Sequence, residues 1–286
     1  MNSKLKILIS GGGTGGHIFP AIAIANAVKE RIPGAEIQFV GAIGRMEMDK
    51  VPLAGFPITG LWISGFQRRL TVKNLLFPVK VMSSIIKAYR IIGKFNPDIV
   101  IGTGGYASGP LLYVASKKNI PTLIHEQNAF PGITNKLLAK SVNKVCVSYP
   151  NMEKYFPKEK IIITGNPIRK EIQNLTPTKK ESLKFFNLVQ NKNTLLIIGG
   201  SQGAQKINMA VADNLDKLLD LDLQIIWQTG TSTFNLAKQS AGENKEVSIY
   251  EFIQKMDMAY TAADFIISRA GAIAIAETIA AKKPAI

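Results

Sequence analysis

Residues 6–31 read KILISGGGTGGHIFPAIAIANAVKER, and this stretch decides the fold. Lys6–Ser10 is a short apolar run that predicts a buried strand, and Pro20–Arg31 predicts a helix with proline near its first turn. The glycines between them let the backbone turn tightly and approach an anion, which the amides and dipole at a helix start also favour. The stretch therefore predicts a strand, an anion-binding loop and a helix.

The same alternation continues outward along the chain. Further strands are predicted at Ile37–Val40, Ile99–Gly102, Thr122–His125 and Lys144–Ser148, with helical stretches between them. Asn166-Pro167 and the polar run Asn174–Lys180 predict a boundary. After it a second series begins, with strands at Leu195–Ile198, Gln224–Trp227 and Phe265–Ser268 and a helix near Ile207–Leu219. This α/β pattern is typical of parallel βαβ units, and we expect two Rossmann-like domains facing a cleft, residues 1–165 and 166–286.

The last residues, Lys283–Ile286, resemble the start of another buried strand. We therefore expect the second domain to be incomplete and the chain to be truncated at its carboxyl end.

Composition excludes several classes of protein. The single cysteine, Cys146, rules out a disulfide framework, and Cys/His zinc spacing is absent. Asp220 and Asp222 form a D-x-D pair, but they lie between a predicted helix and a predicted strand, where a solvated connector is expected, so we expect no metal. No signal peptide and no apolar run of about 20 residues is present, which predicts a cytoplasmic protein.

The net charge of +15 is concentrated in the first half. Residues 1–165 hold 21 Lys/Arg and 8 Asp/Glu, a net +13, whereas residues 166–286 hold 14 and 12, a net +2. A one-sided basic field predicts an anionic surface as partner, either nucleic acid or anionic lipid.

The segment 62–94 favours lipid. Leu75, Val79, Met82, Ile86 and Tyr89 recur at helical spacing beside a basic edge, which suits an anionic bilayer surface. We expect this peripheral contact to involve Trp62, Phe66, Arg68, Arg69, Lys73, Leu76, Phe77 and Lys80. No nucleic-acid motif is present, so we expect no nucleic-acid partner.

Two more sequences in the first half follow predicted strands. Gly102–Pro110 (GTGGYASGP) is a second glycine loop, and His125–Asn128 (HEQN) follows the next strand. Parallel strands end at one sheet edge, so the two glycine loops form a crevice suited to a diphosphate. The only histidines, His17 and His125, both lie in these loops, and His17 is a candidate general base or phosphate donor.

The second half also contains a glycine loop between a predicted strand and a predicted helix. Gly199–Ala204 (GGSQGA) predicts another anion site without a P-loop lysine, which argues against an NTPase. Ser268–Ala272 leads into a helix carrying Glu277, whose carboxylate is suited to ribose hydroxyls. The first loop also matches G-x-G-x-x-G, but no acid ends the second strand, which argues against NAD.

Together these motifs resemble the MurG family of UDP-N-acetylglucosamine–lipid I N-acetylglucosaminyltransferases. The resemblance rests on ten segments in the family's order, which are GGTGGHIFP, GRMEMDKVP, ISGF, GTGGYASGP, HEQN, TNKLLAK, GNPIR, GGSQGA, EFIQKM and SRAGAIAIAE. It implies a GT-B glycosyltransferase of peptidoglycan synthesis, and so of cell-wall biogenesis, cell shape and cell division. It also implies inverting transfer from UDP-GlcNAc to lipid I, giving lipid II, at the cytoplasmic face of the inner membrane.

The resemblance also implies site residues. Those expected to bind UDP-GlcNAc are Thr14, Gly15, Gly16, Asn128, Arg169, Ser201, Ile253, Ala272, Ile273, Ala274, Ile275, Ala276 and Glu277. Those expected at the acceptor diphosphate are Gly13, Thr103, Gly104, Gly105 and Tyr106. We expect His17 to be catalytic, no cofactor, and other cell-wall enzymes as further partners. Where the family has hydroxyl side chains before its glutamate, this chain has Ile273–Ala276.

Three alternatives stay open at this point. Another GT-B lipid enzyme, such as a diacylglycerol glucosyltransferase, would share the fold and the membrane segment. A nicotinamide-dependent dehydrogenase would use the first glycine loop, and a non-catalytic fragment would only bind membranes.

Overall fold

A computed structural model describes residues 4–65, 75–200 and 203–286. The chain separates into two compact units, Met1–Pro167 and Ile168–Ile286. Each unit is a parallel α/β sheet with its own core, as the strand and helix alternation predicts.

The first unit alternates strands and helices along its length. Its elements are β1 (Lys6–Gly11), α1 (Gly15–Arg31), β2 (Glu36–Ala42), α2 (Glu47–Leu53), β3 (Ile58–Leu61), α3 (Phe77–Phe95), β4 (Ile99–Gly104), α4 (Ser108–Lys117), β5 (Thr122–Glu126), α5 (Ile133–Leu138), β6 (Lys144–Val147) and β7 (Ile161–Ile163).

Seven parallel strands form the first sheet, in the order β3-β2-β1-β4-β5-β6-β7. Helices cover both faces, so the central strands are apolar on both sides and read as continuous hydrophobic runs. One buried cluster packs α3 and α4 on one face, and another packs α1 on the opposite face. The carboxyl ends of β1, β4 and β5 therefore lie side by side.

Helix α3 shows how local sequence sets an element. Its buried residues Ser84, Ala88, Ile92 and Phe95 recur every three or four positions and form one face. Asn96 ends the helix in the left-handed region, with φ 51°, and Pro97 follows. Asparagine tolerates this conformation and proline prevents continuation, so the chain turns towards β4.

The second unit follows the same plan. Its elements are α6 (Lys170–Gln173), α7 (Lys179–Phe185), β8 (Asn193–Ile198), α8 (Gln205–Asp213), α9 (Leu215–Leu219), β9 (Leu223–Gln228), α10 (Phe234–Ala241), β10 (Val247–Tyr250), α11 (Met256–Ala262), β11 (Phe265–Ser268) and α12 (Ala272–Ala280). The sheet is parallel, in the order β10-β9-β8-β11. Ala285 forms a parallel bridge to Ile266 of β11, as a further strand would.

Two predicted helices differ from the observed ones. Helix α1 begins at Gly15 rather than Pro20, because the amides of His17 and Ile18 already bond to the Thr14 carbonyl. The stretch 207–219 is two helices instead of one. The Asn214 side-chain amide donates to the Ala210 carbonyl, which is the backbone acceptor that a continuous helix would use.

Buried apolar residues form four clusters in the described part of the chain. Two lie wholly within the first unit and two wholly within the second. Among the described residues, no helix is long and apolar enough to span a bilayer.

Candidate functional site

The first glycine loop is held from beneath by a buried glutamate. Glu47 accepts hydrogen bonds from the Ala42 amide and the Gly13 amide, both at 3.0 Å. Its carboxyl group fills the space that a side chain at Gly12 would need. The Gly13 amide is thus engaged, and Thr14, Gly15 and Gly16 carry the loop into the start of α1. The first amides of a helix have no intrahelical acceptor, so this end of α1 is suited to an anion.

The two glycine loops of the first unit are in direct contact. The Gly12 amide donates to the Gly104 carbonyl at 3.4 Å, and Thr103 Oγ1 donates to the His17 carbonyl at 2.8 Å. A Cβ at Gly105 would collide with the Gly12 carbonyl, and this residue has φ 81°. Only glycine permits both the close approach and this backbone conformation. The structure therefore brings Gly13, Thr103, Gly104 and Gly105 together.

Tyr106 closes this loop pair on one side. A Cβ on Gly13 would lie 3.0 Å from the Tyr106 ring, so the ring covers that glycine. Burial raises the pKa of Tyr106, and the hydroxyl stays protonated near neutral pH. It can donate to an anion at the loops.

His17 Nδ1 faces two polar groups of the loop. It lies 3.2 Å from the Gly12 carbonyl and 3.3 Å from Thr14 Oγ1, and a proton on Nδ1 would be shared with the carbonyl, which only accepts. Nε2 has no hydrogen-bond partner among the described residues, and the ring rests against Gly104. Burial lowers the pKa of His17, and this outweighs Glu126, the Gly12 carbonyl and Glu47, which raise it. A neutral ring with an available Nε2 lone pair can accept a proton.

The HEQN segment is organised by Glu126. Its Oε1 accepts from the backbone and side-chain amides of Asn128, both at 3.0 Å. Its Oε2 accepts from the Gly132 amide at 3.0 Å and from Asn135 Nδ2 at 2.9 Å. Glu126 is buried, so these charge-assisted bonds fix the loop shape. Asn128 is exposed at the loop surface, with its side-chain nitrogen bound to Glu126.

His125 has a different role from His17. Its Nε2 lies 2.9 Å from the Gly165 carbonyl, and its Nδ1 lies 3.0 Å from Gln127 Nε2. Both ring nitrogens are therefore occupied, and burial lowers the pKa of His125. This histidine is structural in the described structure, and it ties β5 to the segment after β7.

In the second unit, Gln228 links two predicted donor segments. Its Nε2 donates to the Gly200 carbonyl at 3.1 Å, and its Oε1 accepts from the Ile253 amide at 2.9 Å. The Ile253 amide is thus engaged, so the backbone group of Ile253 that remains for a nucleobase is its carbonyl. Gly203 has φ 79°, and a Cβ there would collide with the Thr229 carbonyl. Ser201 lies outside the described residues.

Arg169 and Glu277 form a buried bidentate ion pair. Arg169 Nε and one terminal nitrogen reach the two carboxylate oxygens, each at 2.9 Å. The side chains are 18% and 6% exposed. Burial alone would lower the pKa of Arg169, but the Glu277 carboxylate, together with Glu171 and Tyr260, raises it above its ordinary value. Arg169, expected to bind UDP-GlcNAc, is therefore paired in this structure with Glu277, the residue expected to bind the ribose.

Tyr260 completes this cluster. It is fully buried, and its hydroxyl donates to Glu277 Oε2 at 3.4 Å. Burial and the nearby carboxylate raise the pKa of Tyr260, so the hydroxyl stays protonated and can donate. Arg169 and Tyr260 together fix where the Glu277 carboxylate points.

The start of α12 carries the remaining predicted donor residues. Ala272, Ile273, Ala274 and Ala276 are half-buried, and Ile275 is exposed. With no hydroxyl among these side chains, the groups that they offer to a sugar are backbone amides and small apolar surfaces.

The predicted membrane residues that the structure describes lie around α3. Trp62 and Leu76 are about half exposed, and Phe77 is half-buried. Lys80 Nζ donates to Ser64 Oγ at 3.0 Å and lies 5.7 Å from the centroid of the Trp62 ring. Phe66, Arg68, Arg69 and Lys73 lie outside the described residues.

The predicted connector at Asp220 and Asp222 has a structural partner. Asp222 has φ 56° and forms an exposed ion pair with Lys192 at 2.9 Å. Within residues 4–65, 75–200 and 203–286, no group of three His, Cys, Asp or Glu residues is arranged to hold a metal ion.

Sequence reasoning missed four residues that shape the site, namely Glu47, Glu126, Gln228 and Tyr260. Each is buried and polar, and each bonds to a loop or a site side chain. Glu47 and Glu126 could have been found from the sequence, because Glu47 follows a glycine-containing turn and Glu126 lies at the end of a predicted strand. An acid buried at such a position needs hydrogen-bond partners. Gln228 and Tyr260 lie in otherwise apolar segments and gave no such signal.

Two family models match the chain. The N-terminal domain of glycosyltransferase family 28 matches residues 7–147, and its C-terminal domain matches residues 194–286. These ranges fall within the first and second unit, respectively.

Curated relatives match over nearly the whole chain. A Flavobacterium psychrophilum protein named UDP-N-acetylglucosamine–N-acetylmuramyl-(pentapeptide) pyrophosphoryl-undecaprenol N-acetylglucosamine transferase is 51% identical over 283 residues, which are 99% of this chain and 77% of that protein. A protein of the same name from Porphyromonas gingivalis W83 is 49% identical over 288 residues, 100% of this chain and 76% of that protein.

Solved structures share the architecture. Acinetobacter baumannii MurG is 28% identical with a TM-score of 0.70, covering 98% of this chain and 78% of that one. UDP-GlcNAc 2-epimerase from Neisseria meningitidis, bound to UDP-GlcNAc, has a TM-score of 0.69 at 15% identity, covering 99% and 82%. The second likeness concerns the fold alone.

Proposed function

The chain belongs to the family of UDP-N-acetylglucosamine–N-acetylmuramyl-(pentapeptide) pyrophosphoryl-undecaprenol N-acetylglucosamine transferases, and we propose that it moves N-acetylglucosamine from UDP-GlcNAc to lipid I. It is a GT-B glycosyltransferase of peptidoglycan synthesis. The product is lipid II, formed on the C4 hydroxyl of the muramyl sugar. In this proposal residues 1–165 bind the acceptor and the membrane, and residues 166–286 bind the donor.

The acceptor diphosphate binds at the paired glycine loops. Supporting this are the tight contact between the loops, the start of α1 behind them, and the protonated Tyr106 hydroxyl. Thr103, Gly104 and Gly105 contribute backbone groups. Gly13 contributes shape more than an amide, because its amide is bound to Glu47.

The donor binds in the second unit. Glu277 receives the ribose hydroxyls on the lone pairs that Arg169 leaves available, and the Ile253 carbonyl meets the uracil. Ser201 and the amides from Ala272 onward hold the diphosphate and sugar, together with Arg169. Thr14, Gly15, Gly16 and Asn128 complete the donor set on the first unit.

The reaction is a single displacement with inversion. The acceptor C4 oxygen forms a bond to the anomeric carbon while the bond from that carbon to the UDP oxygen breaks. The hydroxyl proton passes to His17 Nε2, and the electron pair leaves with UDP. Helix-start amides stabilise the charge that develops on the diphosphate.

The observation that carries this proposal is the setting of His17, whose Nδ1 faces the Gly12 carbonyl at 3.2 Å, whose pKa is lowered by burial, and whose Nε2 lies beside Gly104. The test is transfer of labelled GlcNAc to a lipid I analogue by wild type and His17→Gln. We expect the variant to lose roughly 10²- to 10⁴-fold in kcat while its affinity for UDP stays unchanged. His125→Gln is the contrast, since loss of that structural histidine should lower stability.

Substrate choice separates this enzyme from other GT-B lipid transferases. The same assay is run with UDP-glucose as donor and with diacylglycerol as acceptor. Preference for UDP-GlcNAc and the lipid I analogue supports the proposal. Preference for UDP-glucose and diacylglycerol would replace it with a glucosyltransferase.

The enzyme acts at the cytoplasmic face of the inner membrane as a peripheral protein. Support comes from α3, whose apolar stripe stands in solvent. A groove of about 1040 Å³ runs beside it, and its lining includes Val79, Met82, Ile86, Lys87, Arg90 and Lys94. An apolar helix face with a basic edge suits anionic lipid. Other cell-wall enzymes are proposed as further partners.

A further inference from the structure

Three large apolar side chains stand in solvent at the start of α5. Phe130, Ile133 and Leu137 are 79%, 78% and 76% exposed. Ile133 and Leu137 are one turn apart on the same side of the helix, and Phe130 is on the loop just before it. We call these residues the α5 face. Single exposed apolar residues are ordinary, but a group of this size marks a contact surface.

The α5 face is held rigidly. The Asn128 and Gly132 amides, on either side of Phe130, both donate to buried Glu126. Asn135, inside α5, donates to the same carboxylate at 2.9 Å. The Phe130 ring packs against Tyr155 with centroids 6.4 Å apart. The apolar side chains are therefore displayed by a fixed loop.

The surroundings of the α5 face are basic. Residues 128–165 contain six lysines, at positions 136, 140, 144, 154, 158 and 160, against Glu153 and Glu159, a net +4. Lys136 and Lys154 lie 4.8 and 5.0 Å from the centroid of the Tyr155 ring, directly beside Phe130. Apolar side chains with cations at their border complement an anionic bilayer, where the cations meet headgroups.

The position of the α5 face fits this partner. Helices α3 and α5 both begin at the carboxyl edge of the first sheet, because each follows a parallel strand. Helix α4 packs between them. Leu75 and Leu76, just before α3, are also exposed. Two apolar points therefore lie at the edge that carries the glycine loops.

We propose that the α5 face is a second insertion point into the anionic membrane, separate from α3. This inference rests on the proposed membrane function of the first unit. With two contacts, the unit has a fixed tilt on the bilayer, and its carboxyl edge faces the headgroup layer. The diphosphate of a prenyl-linked acceptor lies in that layer.

The test is co-sedimentation of the full chain with vesicles of equal phosphatidylglycerol and phosphatidylcholine. Ile133→Ser/Leu137→Ser should bind about tenfold more weakly, because two apolar side chains that would be transferred from water into the bilayer are removed. The matched control is Leu53→Ser, which is 76% exposed on α2 on the opposite side of the sheet. It should bind within about twofold of wild type.

The outcomes separate this inference from the proposed function. Transfer to a water-soluble, short-prenyl lipid I analogue reports folding and catalysis without a membrane, and the α5 variant should keep it. Val79→Ser/Met82→Ser tests α3 alone. If this variant loses vesicle binding and the α5 variant does not, only the proposed α3 contact is supported. Vesicle binding by the α5 variant equal to wild type overturns the inference. Equal binding with lost transfer in vesicles also overturns it, and assigns the face to another partner.

Discussion

At the scale of single residues, polar groups in the described structure are buried in sets that fix a functional atom. Arg169 and Tyr260 both bond to Glu277, and the Gly12 carbonyl lies 3.2 Å from Nδ1 of His17. A charge buried with partners is costly to strip of them, because the remaining partner keeps its desolvation penalty. The Glu277 carboxylate is thus tied to the stability of the second unit.

Glu277→Gln should lower the free energy of unfolding by about 3 kcal/mol, because it leaves the buried Arg169 charge without a carboxylate. It should also raise the KM for UDP-GlcNAc. Urea unfolding and steady-state kinetics measure the two effects. Glu246→Gln, which weakens the partly exposed pair with Lys192, is the control and should leave the unfolding midpoint nearly unchanged. Equal midpoints for both variants would contradict a stabilising role for the pair.

The pH profile should report His17. As the proposed base, His17 acts only when neutral, and burial holds its pKa below the ordinary 6.5. Activity should therefore fall as the pH drops through that lowered pKa. We expect the acid limb of kcat/KM for the acceptor to lie below pH 6.5 in wild type and to vanish in His17→Gln. An acid limb that persists unchanged in the variant would assign it to another group.

At the scale of elements, the loops at the strand ends keep their shape through acids that lie beneath them. Glu47 begins α2 and supports the loop after β1, whereas Glu126 ends β5 and supports the loop before α5. The glycines supply close approach, and the carboxylates supply acceptors for amides that would otherwise be buried without partners.

Glu47→Gln should destabilise the first unit by roughly 1–3 kcal/mol, because the new amide cannot accept from both Ala42 and Gly13. It should also raise the KM for the acceptor, since the loop loses its support. Urea unfolding gives the first quantity. Asp49→Asn, an exposed acid on the same helix, is the matched control. If both variants unfold like wild type, the loop does not depend on Glu47.

Most of the helices and strands can be predicted from the sequence, and the features that were missed have identifiable physical reasons. Strand Phe265–Ser268 is confirmed to the residue, and both glycine loops of the first unit follow strands as predicted. The break at Asn214 was missed because a side-chain bond to Ala210 competes with the helix ladder. The pairing of Arg169 with Glu277 spans 108 positions, so no local pattern contains it.

At the scale of the whole molecule, charge is divided unevenly. The first 165 residues carry +13 and the remainder +2. The exposed apolar residues of α3 and of the α5 face belong to the basic part. The uneven division is what we expect if, as proposed, the first unit meets lipid and the second binds the nucleotide sugar.

Vesicle binding should therefore depend on salt. The Debye length falls from about 10 Å at 0.1 M to about 3 Å at 1 M, so lysines lose most of their attraction to headgroups. Binding to phosphatidylglycerol vesicles should weaken steeply over this range, whereas weak binding to pure phosphatidylcholine should change little. Sedimentation at graded NaCl measures both. Binding to the anionic vesicles that is constant across the range would assign docking to apolar contact alone.

Because the buried clusters are divided between the two units, we expect the units to unfold separately on heating. No cluster of described residues is shared, so calorimetry should resolve two endotherms instead of one. Added uridine diphosphate should shift the endotherm of the second unit more than that of the first, since most of the proposed donor contacts lie in the second unit and a ligand stabilises the part that binds it. A destabilising substitution in one core would then leave the other unit folded. A variant with an unfolded second unit would lose catalysis and still bind lipid.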